Sequence, residues 1–328
     1  MHFLGRRAAF YLLTAWAAIT INFLIPRLMP GNPVEAVLAR YQGQLTYRAT
    51  RALEIAFGLN LHENLWSQYV QYWGNLAHGN FGLSFTYFPT PVSTIIAQSL
   101  PCTLVLVGLS TIIAWALGIT IGIVAGWHRG GAWDFVVPVG AFFRGIPTFW
   151  IGLIAVTVVG VNLRWLPASG GYSTSVVPSW TRAFLTSAFR HAVLPALVIV
   201  VGSMAGNLIG MRNMMVATLA EDFVIVGEAK GLPRRTMMFR YAARNAILPS
   251  IVGFALDMGF VVSGALLVER VFSYPGIGYV LFQAVGVEDY PLMQAIFLVT
   301  TLAVLGANIA ADVAFVLVDP RTRRGGAE

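Results

Sequence analysis

The sequence predicts an all-α polytopic membrane protein with six transmembrane helices, and three observations carry that prediction. Just 11% of the 328 residues are charged and 57% are hydrophobic, whereas a soluble domain covers itself with about a quarter charged residues. Apolar runs of roughly 20 residues, the length that crosses a bilayer as a helix, recur along the chain. The remaining charges collect between those runs, most densely in "EDFVIVGEAKGLPRRTMMFRYAARNAILPS", residues 221–250, which holds the sole lysine, Lys230.

In a chain of this kind the net charge of +7 reads as basic loops facing anionic lipid rather than as a nucleic-acid footprint. The single cysteine, Cys102, excludes an internal disulfide, and the five histidines are scattered without metal-ligand spacing.

The first run, residues 8–25, follows Arg6 and Arg7. It is too long for the apolar region of a signal peptide, and "PRLMPGNP" follows it instead of a small-residue cleavage site. It is therefore expected to be a retained span. Further spans are expected at about residues 101–126, 135–160, 192–211, 247–268 and 292–318. With the N-terminus inside, Arg6, Arg7, Arg129, the basic loop after Met211 and Arg321, Arg323 and Arg324 all fall on the cytoplasmic side, as the positive-inside rule requires. Both termini are then cytoplasmic. The expected organisation is a tail and first span at 1–28, an extracytoplasmic segment at 29–99, a five-helix core at 100–319 and a cytoplasmic tail at 320–328.

Within segment 29–99, Trp66, Tyr69, Val70, Trp73 and Ala77 share one helical face. The stripe suits a helix lying at the membrane surface or a small cap packed on its own span ends. The absence of a basic opposite face favours the cap. Trp165 and Pro167 suit the outer end of the third span, where tryptophans collect. "VFSYPGIGYVLF", residues 271–282, is too short and broken to span, and is expected to be a partly re-entrant hairpin buried against protein.

In the charged loop, helix-favouring residues continue past Met211 to Lys230. Gly231 is expected to stop that helix in the left-handed C′ conformation, and Pro233 to open another, which ends near Pro249. Val226 and Leu232 sit among Glu228, Lys230, Arg234 and Arg235. A solvated linker would not need a helix, a Gly–Pro corner and a second helix; a rigid corner with an apolar tip and charged rim suits a partner's groove.

"EAKGL…RNAILP" resembles the EAA signature of inner-membrane permease subunits of binding-protein-dependent ABC importers. The wider pattern is that of the peptide/opine/nickel branch, dipeptide/oligopeptide permease B type. "PGNP", "QYVQYWGNLAHGNFG", "PTFWIGL…LRWLPASGG", "RHAVLPAL", "VERVFSYPGIG", "DYPLMQ" and "DPRTR" are similar to that branch's blocks, in its order. The resemblance implies that loop 220–249 is the coupling loop, seated in a cleft of an ATPase subunit. Glu228, Ala229, Lys230, Gly231, Leu232 and Pro233 would form the contact. It also implies a core of five spans with the first packed peripherally, a second homologous permease subunit, two ATP-binding subunits and an extracytoplasmic substrate-binding protein. The setting would be the bacterial cytoplasmic membrane.

No P-loop occurs: Lys230 precedes Gly231 and Leu232, with no Gly-rich turn ahead of it. The chain is thus not expected to be an enzyme or to hold a cofactor; ATP and Mg would bind the partner subunits. A proton-coupled secondary transporter is the rival reading. It rests on Arg144, Asp257 and Asp312, ionisable residues within the apolar runs, which either pair across helix interfaces or line a pathway. No internal repeat supports that rival. Among substrates, oligopeptides are expected ahead of oligosaccharides. Small residues such as Gly118, Gly122 and Gly126 are expected to let helices approach closely.

Overall fold

The computed structural model describes residues 2–28, 64–263 and 265–318. Much of the expected segment 29–99, and the tail 320–328, lie outside the described residues. Among the described residues the regular structure is helical, apart from one isolated antiparallel bridge, Leu83–Pro91. In chain order the helices are α1 (His2–Leu28), α2 (Leu65–Ala77), α3 (Val92–Trp127), α4 (Ala132–Gly145), α5 (Thr148–Asn162), α6 (Arg182–Thr218), α7 (Asp222–Ala229), α8 (residues 234–246), α9 (Leu248–Phe260), α10 (Leu266–Val271), α11 (Ile277–Gly286) and α12 (Tyr290–Val318).

Among the described residues α3, α6 and Tyr290–Ala310 of α12 are each long and apolar enough to cross a membrane, and α4 with α5 qualifies as a pair bent by 90°. Ala9–Ile25 and Leu248–Gly259 are apolar but shorter. Three expectations change. The run 135–160 is not one straight helix. It breaks at Ile146 (φ −91°, ψ 125°) and Pro147 (ψ 130°), because a residue before proline is driven from the α region. Helix α6 starts ten residues before the expected 192, where the Thr181 hydroxyl accepts the Phe184 amide at 3.4 Å as an N-cap. The fifth run leaves the α-helix at Phe260 through a 3₁₀ turn at Val261–Ser263, well short of 268.

The chain forms two compact units. One holds Met1–Thr103, Val262–Leu266 and Pro275–Gly306. Here α2 lies against α1. The Thr20 and Tyr69 hydroxyls are 2.7 Å apart, Asn22 donates to the Tyr72 hydroxyl at 3.2 Å, and Arg27 Nε donates to Gln68 at 3.0 Å. The Phe23 ring meets those of Tyr69 and Tyr72 at 5.2 and 5.5 Å between centroids. The contact face is therefore Gln68–Tyr69–Tyr72, rotated from the expected stripe, and Trp66 and Val70 are exposed.

The core of this unit joins Ile95 and Ile96 of α3 to Ile277 and Val280 of α11 and Leu292 and Ile296 of α12. Segment 271–282, expected as a hairpin, contains the buried first turns of α11, whose Ile277 amide donates to Thr103 Oγ1 at 2.7 Å. Asp289, fully buried, fixes the start of α12. Its carboxylate accepts from Ser84 Oγ at 2.5 Å, Thr86 N at 2.8 Å and Leu292 N at 3.2 Å. An aspartate before Tyr-Pro at a helix start supplies the acceptor that orphan amides need.

The other unit holds Leu104–Val261, Leu267–Tyr274 and Ala307–Glu328. Its centre is a seam between α3 and α6. Gly118, Gly122 and Gly126, four residues apart, lie on one face of α3. A Cβ on them would stand 2.8 Å from Asn207 Cβ, 2.7 Å from the Leu208 carbonyl oxygen and 2.5 Å from Met215 Cβ, respectively. The small residues thus let the two backbones meet, as expected. The partners advance along both helices together, so α3 and α6 run parallel. The α4–α5 pair runs the other way along α6: Asp134 pairs with Arg212 at 3.3 Å, Gly140 faces Ile209, and Gly152 faces Val198.

Candidate functional site

The loop that the sequence singled out folds as a helical corner at the end of α6. The reading that α6 continues to Lys230 is corrected. The chain turns at Leu219–Glu221, and Glu221, extended at ψ 146°, begins α7 as a separate helix. The acidic pair Glu221–Asp222 is the sequence signal for this, since negative charge favours a helix N-terminus.

Helix α7 ends as anticipated. Gly231 adopts φ +71°, the Gly231 amide donates to the Glu228 carbonyl at 2.9 Å, and the Leu232 amide donates to the Gly227 carbonyl at 3.4 Å. These two bonds form a Schellman motif. Pro233 is the N-cap of α8 rather than its first residue. Its carbonyl accepts from the Thr236 and Met237 amides at 2.9 and 3.1 Å.

The corner is braced from beneath. Val224 and Gly227 are buried, and a Cβ on Gly227 would stand 2.7 Å from Met237 Sδ. Ala242, Ala243 and Ala246 of α8 enter a core with Ile119, Ile123, Met211 and Met215. Its outer surface is free of such packing: Ile225, Val226, Glu228, Ala229, Lys230, Gly231 and Pro233 are exposed, and Leu232 is half-buried. Six of the residues expected to contact a partner, Glu228 to Pro233, are thereby placed together on one turn. Gly227 was missed by sequence reasoning; a glycine inside a helix, which lowers its stability unless close packing requires it, is the signal that would have found it.

The other candidates are not brought to this corner. Arg144 is exposed in the last turn of α4, where a cation suits the helix C-terminus. Asp257 is exposed on α9, and among the described residues neither side chain forms a hydrogen bond or ion pair. Asp312 lies half-buried on α12. Among the described residues of the unit built on α3 and α6, the completely buried carboxylate is Glu269 of α10, which sequence reasoning passed over.

Residues 118–324, which include the whole corner, match the family described as "binding-protein-dependent transport system inner membrane component". The chain is similar over most of its length to three curated permeases. It is 30% identical to the oligopeptide transport system permease protein AppB of Bacillus subtilis, covering 92% of each chain. It is 33% identical to the di/tripeptide transport system permease protein DppB of Pseudomonas aeruginosa, covering 98% of this chain and 99% of that one. The dipeptide transport system permease protein DppB of Escherichia coli is 30% identical with the same coverage. A braced corner at the end of a membrane-length helix and a family match spanning it lead to one conclusion: the chain belongs to the inner-membrane component family of binding-protein-dependent transport systems.

Proposed function

We propose that this chain is a permease subunit of an ATP-driven peptide importer, forming half of the pathway with a second homologous subunit. The observation that carries the reading is the exposed Glu228–Pro233 turn on its rigid Schellman corner. A stiff ridge with Ile225 and Val226 at its tip and Glu228, Lys230, Arg234 and Arg235 around it fits a groove at little entropic cost. Its partner would be an ATP-binding subunit, which holds the nucleotide and Mg. Nucleotide binding would draw two such corners together and shift the pathway between inward and outward states. The peptide substrate class rests on the relatives, which are named as oligopeptide, di/tripeptide and dipeptide permeases.

We count six spans: α3, α6, α12 and the bent pair α4–α5, which have the length and apolarity to cross, with α1 and the run from α8 into α9 added to them. Parallel α3 and α6 require one return crossing between them, which α4–α5 supplies. Ile247 continues α8 into α9, its amide donating to Ala243 and its carbonyl accepting from Ile251 at 3.0 and 3.1 Å. The loop holding Arg129 and the coupling corner then share one side, the cytoplasmic one by the positive-inside rule.

The test is reconstitution of the subunit with its partner permease, ATP-binding subunits and binding protein in proteoliposomes. Peptide uptake should require ATP. Uptake that persists without ATP under a proton gradient contradicts the importer reading. In a Cys102→Ser background, Asn64→Cys should react with an impermeant thiol reagent from outside and Thr236→Cys should not. Asp257→Asn should lower uptake if the exposed carboxylate faces the pathway, and should weaken co-purification of the second permease if it faces that subunit. Normal uptake and assembly together exclude both roles.

A further inference from the structure

The unit built on α3 and α6 contains a pocket of about 500 Å3 at the start of α6. From Arg190 to Thr218, α6 rises about 40 Å at 1.5 Å per residue, so the pocket and the coupling corner lie at opposite ends of a membrane-crossing helix. Gly160, the loop Arg164–Ala168, Ser173 and Val176 form one wall. Ala183, Thr186, Ser187, Arg190 and His191 of α6 form the other.

The loop is pinned in place. Gly160 passes so close to Ala168 that a Cβ would stand 2.9 Å from its Cα. The Ser173 amide donates to Ser187 Oγ at 2.8 Å, and the Gly170 amide donates to the Phe272 carbonyl at 2.8 Å. His191 Nδ1 donates to the Ser187 carbonyl at 2.8 Å. Arg164 itself is held at φ +54°, a left-handed conformation that side chains other than glycine seldom adopt and that clusters where function demands it.

The charges in this pocket have one sign. Arg164 and Arg190 line it, and no Asp or Glu does. Among the described residues neither arginine side chain has a hydrogen bond or ion pair. Guanidinium groups match carboxylates through paired N–H donors, and the volume suits a small molecule. Trp165, Leu166, Pro167 and Val176 add an apolar wall. A carrier of peptides with varied side chains must hold what all peptides share, and the C-terminal carboxylate is such a group. Resting on the peptide-importer reading, we infer that this pocket receives the C-terminal carboxylate of a peptide entering the permease, with Arg164 and Arg190 as its two clamps.

The test uses the whole importer in lipid nanodiscs without binding protein, carrying Cys102→Ser and Thr186→Cys. Trialanine should protect the thiol from labelling, and trialanine amide should protect about tenfold less well or not at all, the loss expected for one charged hydrogen-bonding pair. Arg164→Gln or Arg190→Gln should weaken protection by trialanine about tenfold and abolish the preference for acid over amide, and Arg190→Lys should restore part of it. Co-purification of the ATP-binding subunits checks that each variant is folded. Equal protection by acid and amide, or unchanged protection in both Gln variants, overturns the assignment. Loss of binding-protein-stimulated ATP hydrolysis in the Gln variants with protection unchanged also overturns it, and makes the pocket a seat for an acidic side chain of the binding protein. ATP-driven trialanine uptake by the wild type is measured on the same preparation. If that is absent the peptide-importer reading fails; if it is present without selective protection, the pocket assignment alone fails.

Discussion

At the α3–α6 seam glycines are required by their neighbours, whereas at the α7–α8 corner Gly231 is required by its own backbone. Gly118, Gly122 and Gly126 have backbone or Cβ atoms of α6 within 2.5–2.8 Å of where a Cβ would stand. Gly231 has nothing within 4 Å of that point, yet sits at φ +71°. The seam holds the unit together, and the corner aims a surface. Changes at the first should cost folding; changes at the second should leave folding intact and cost coupling.

The largest effect is expected at the seam. Gly122→Leu places a side chain against the Leu208 carbonyl oxygen and Met211 Cβ, which only separation of the helices relieves. About 3 kcal/mol of stability should be lost, the upper range for overpacking. The check is the thermal midpoint of the purified subunit in detergent; an unchanged midpoint breaks the distinction between seam and corner.

Gly227→Ala sharpens the same contrast, because Gly227 combines a close approach with a yielding neighbour. The atoms it meets are Sδ and Cε of Met237, the movable end of a flexible side chain. A loss of about 1 kcal/mol or less is expected, with a modest fall in uptake. Damage equal to that of Gly122→Leu would show that the α7–α8 packing is as stiff as the seam.

The smallest effect is expected at Asp134→Asn, which removes the half-exposed pair with Arg212. Such pairs contribute roughly 0.5 kcal/mol, so the midpoint should shift by a degree or so and uptake should stay near the wild-type level. A fall of ten degrees would make this pair, and not the packing of Gly140 on Ile209, the dominant fastening of α4 to α6.

The corner was legible in the sequence because its chemistry is local. Glycine, leucine and proline in succession specify a left-handed residue followed by a helix start, and the Schellman bonds follow within six residues. The seam was legible for a similar reason, through a four-residue spacing of glycines. The breaks were harder to see. Pro147 carried the signal for the 90° bend, yet the apolar run passes through it without interruption, and hydropathy reads length rather than direction. Likewise Glu221–Asp222 marked a helix start inside residues that all favour helix. The pairing of Arg164 with Arg190 had no sequence signal, since a returning loop of irregular backbone brings them to one pocket. Burial of Glu269 was equally silent: a single carboxylate beside an arginine reads as surface.

The most direct test of the account compares Gly231→Val with Gly231→Asn in the reconstituted importer, measuring peptide taken up per ATP hydrolysed. Asparagine tolerates the left-handed region and valine does not, while the space around the residue admits both. The account predicts that both subunits fold with the wild-type thermal midpoint. Gly231→Asn should keep near-normal uptake, and Gly231→Val should lose it about tenfold or more, through released ATP-binding subunits or hydrolysis without transport. Full partner binding and uptake in Gly231→Val would contradict the claim that this corner transmits the work of the partner subunits to the pathway.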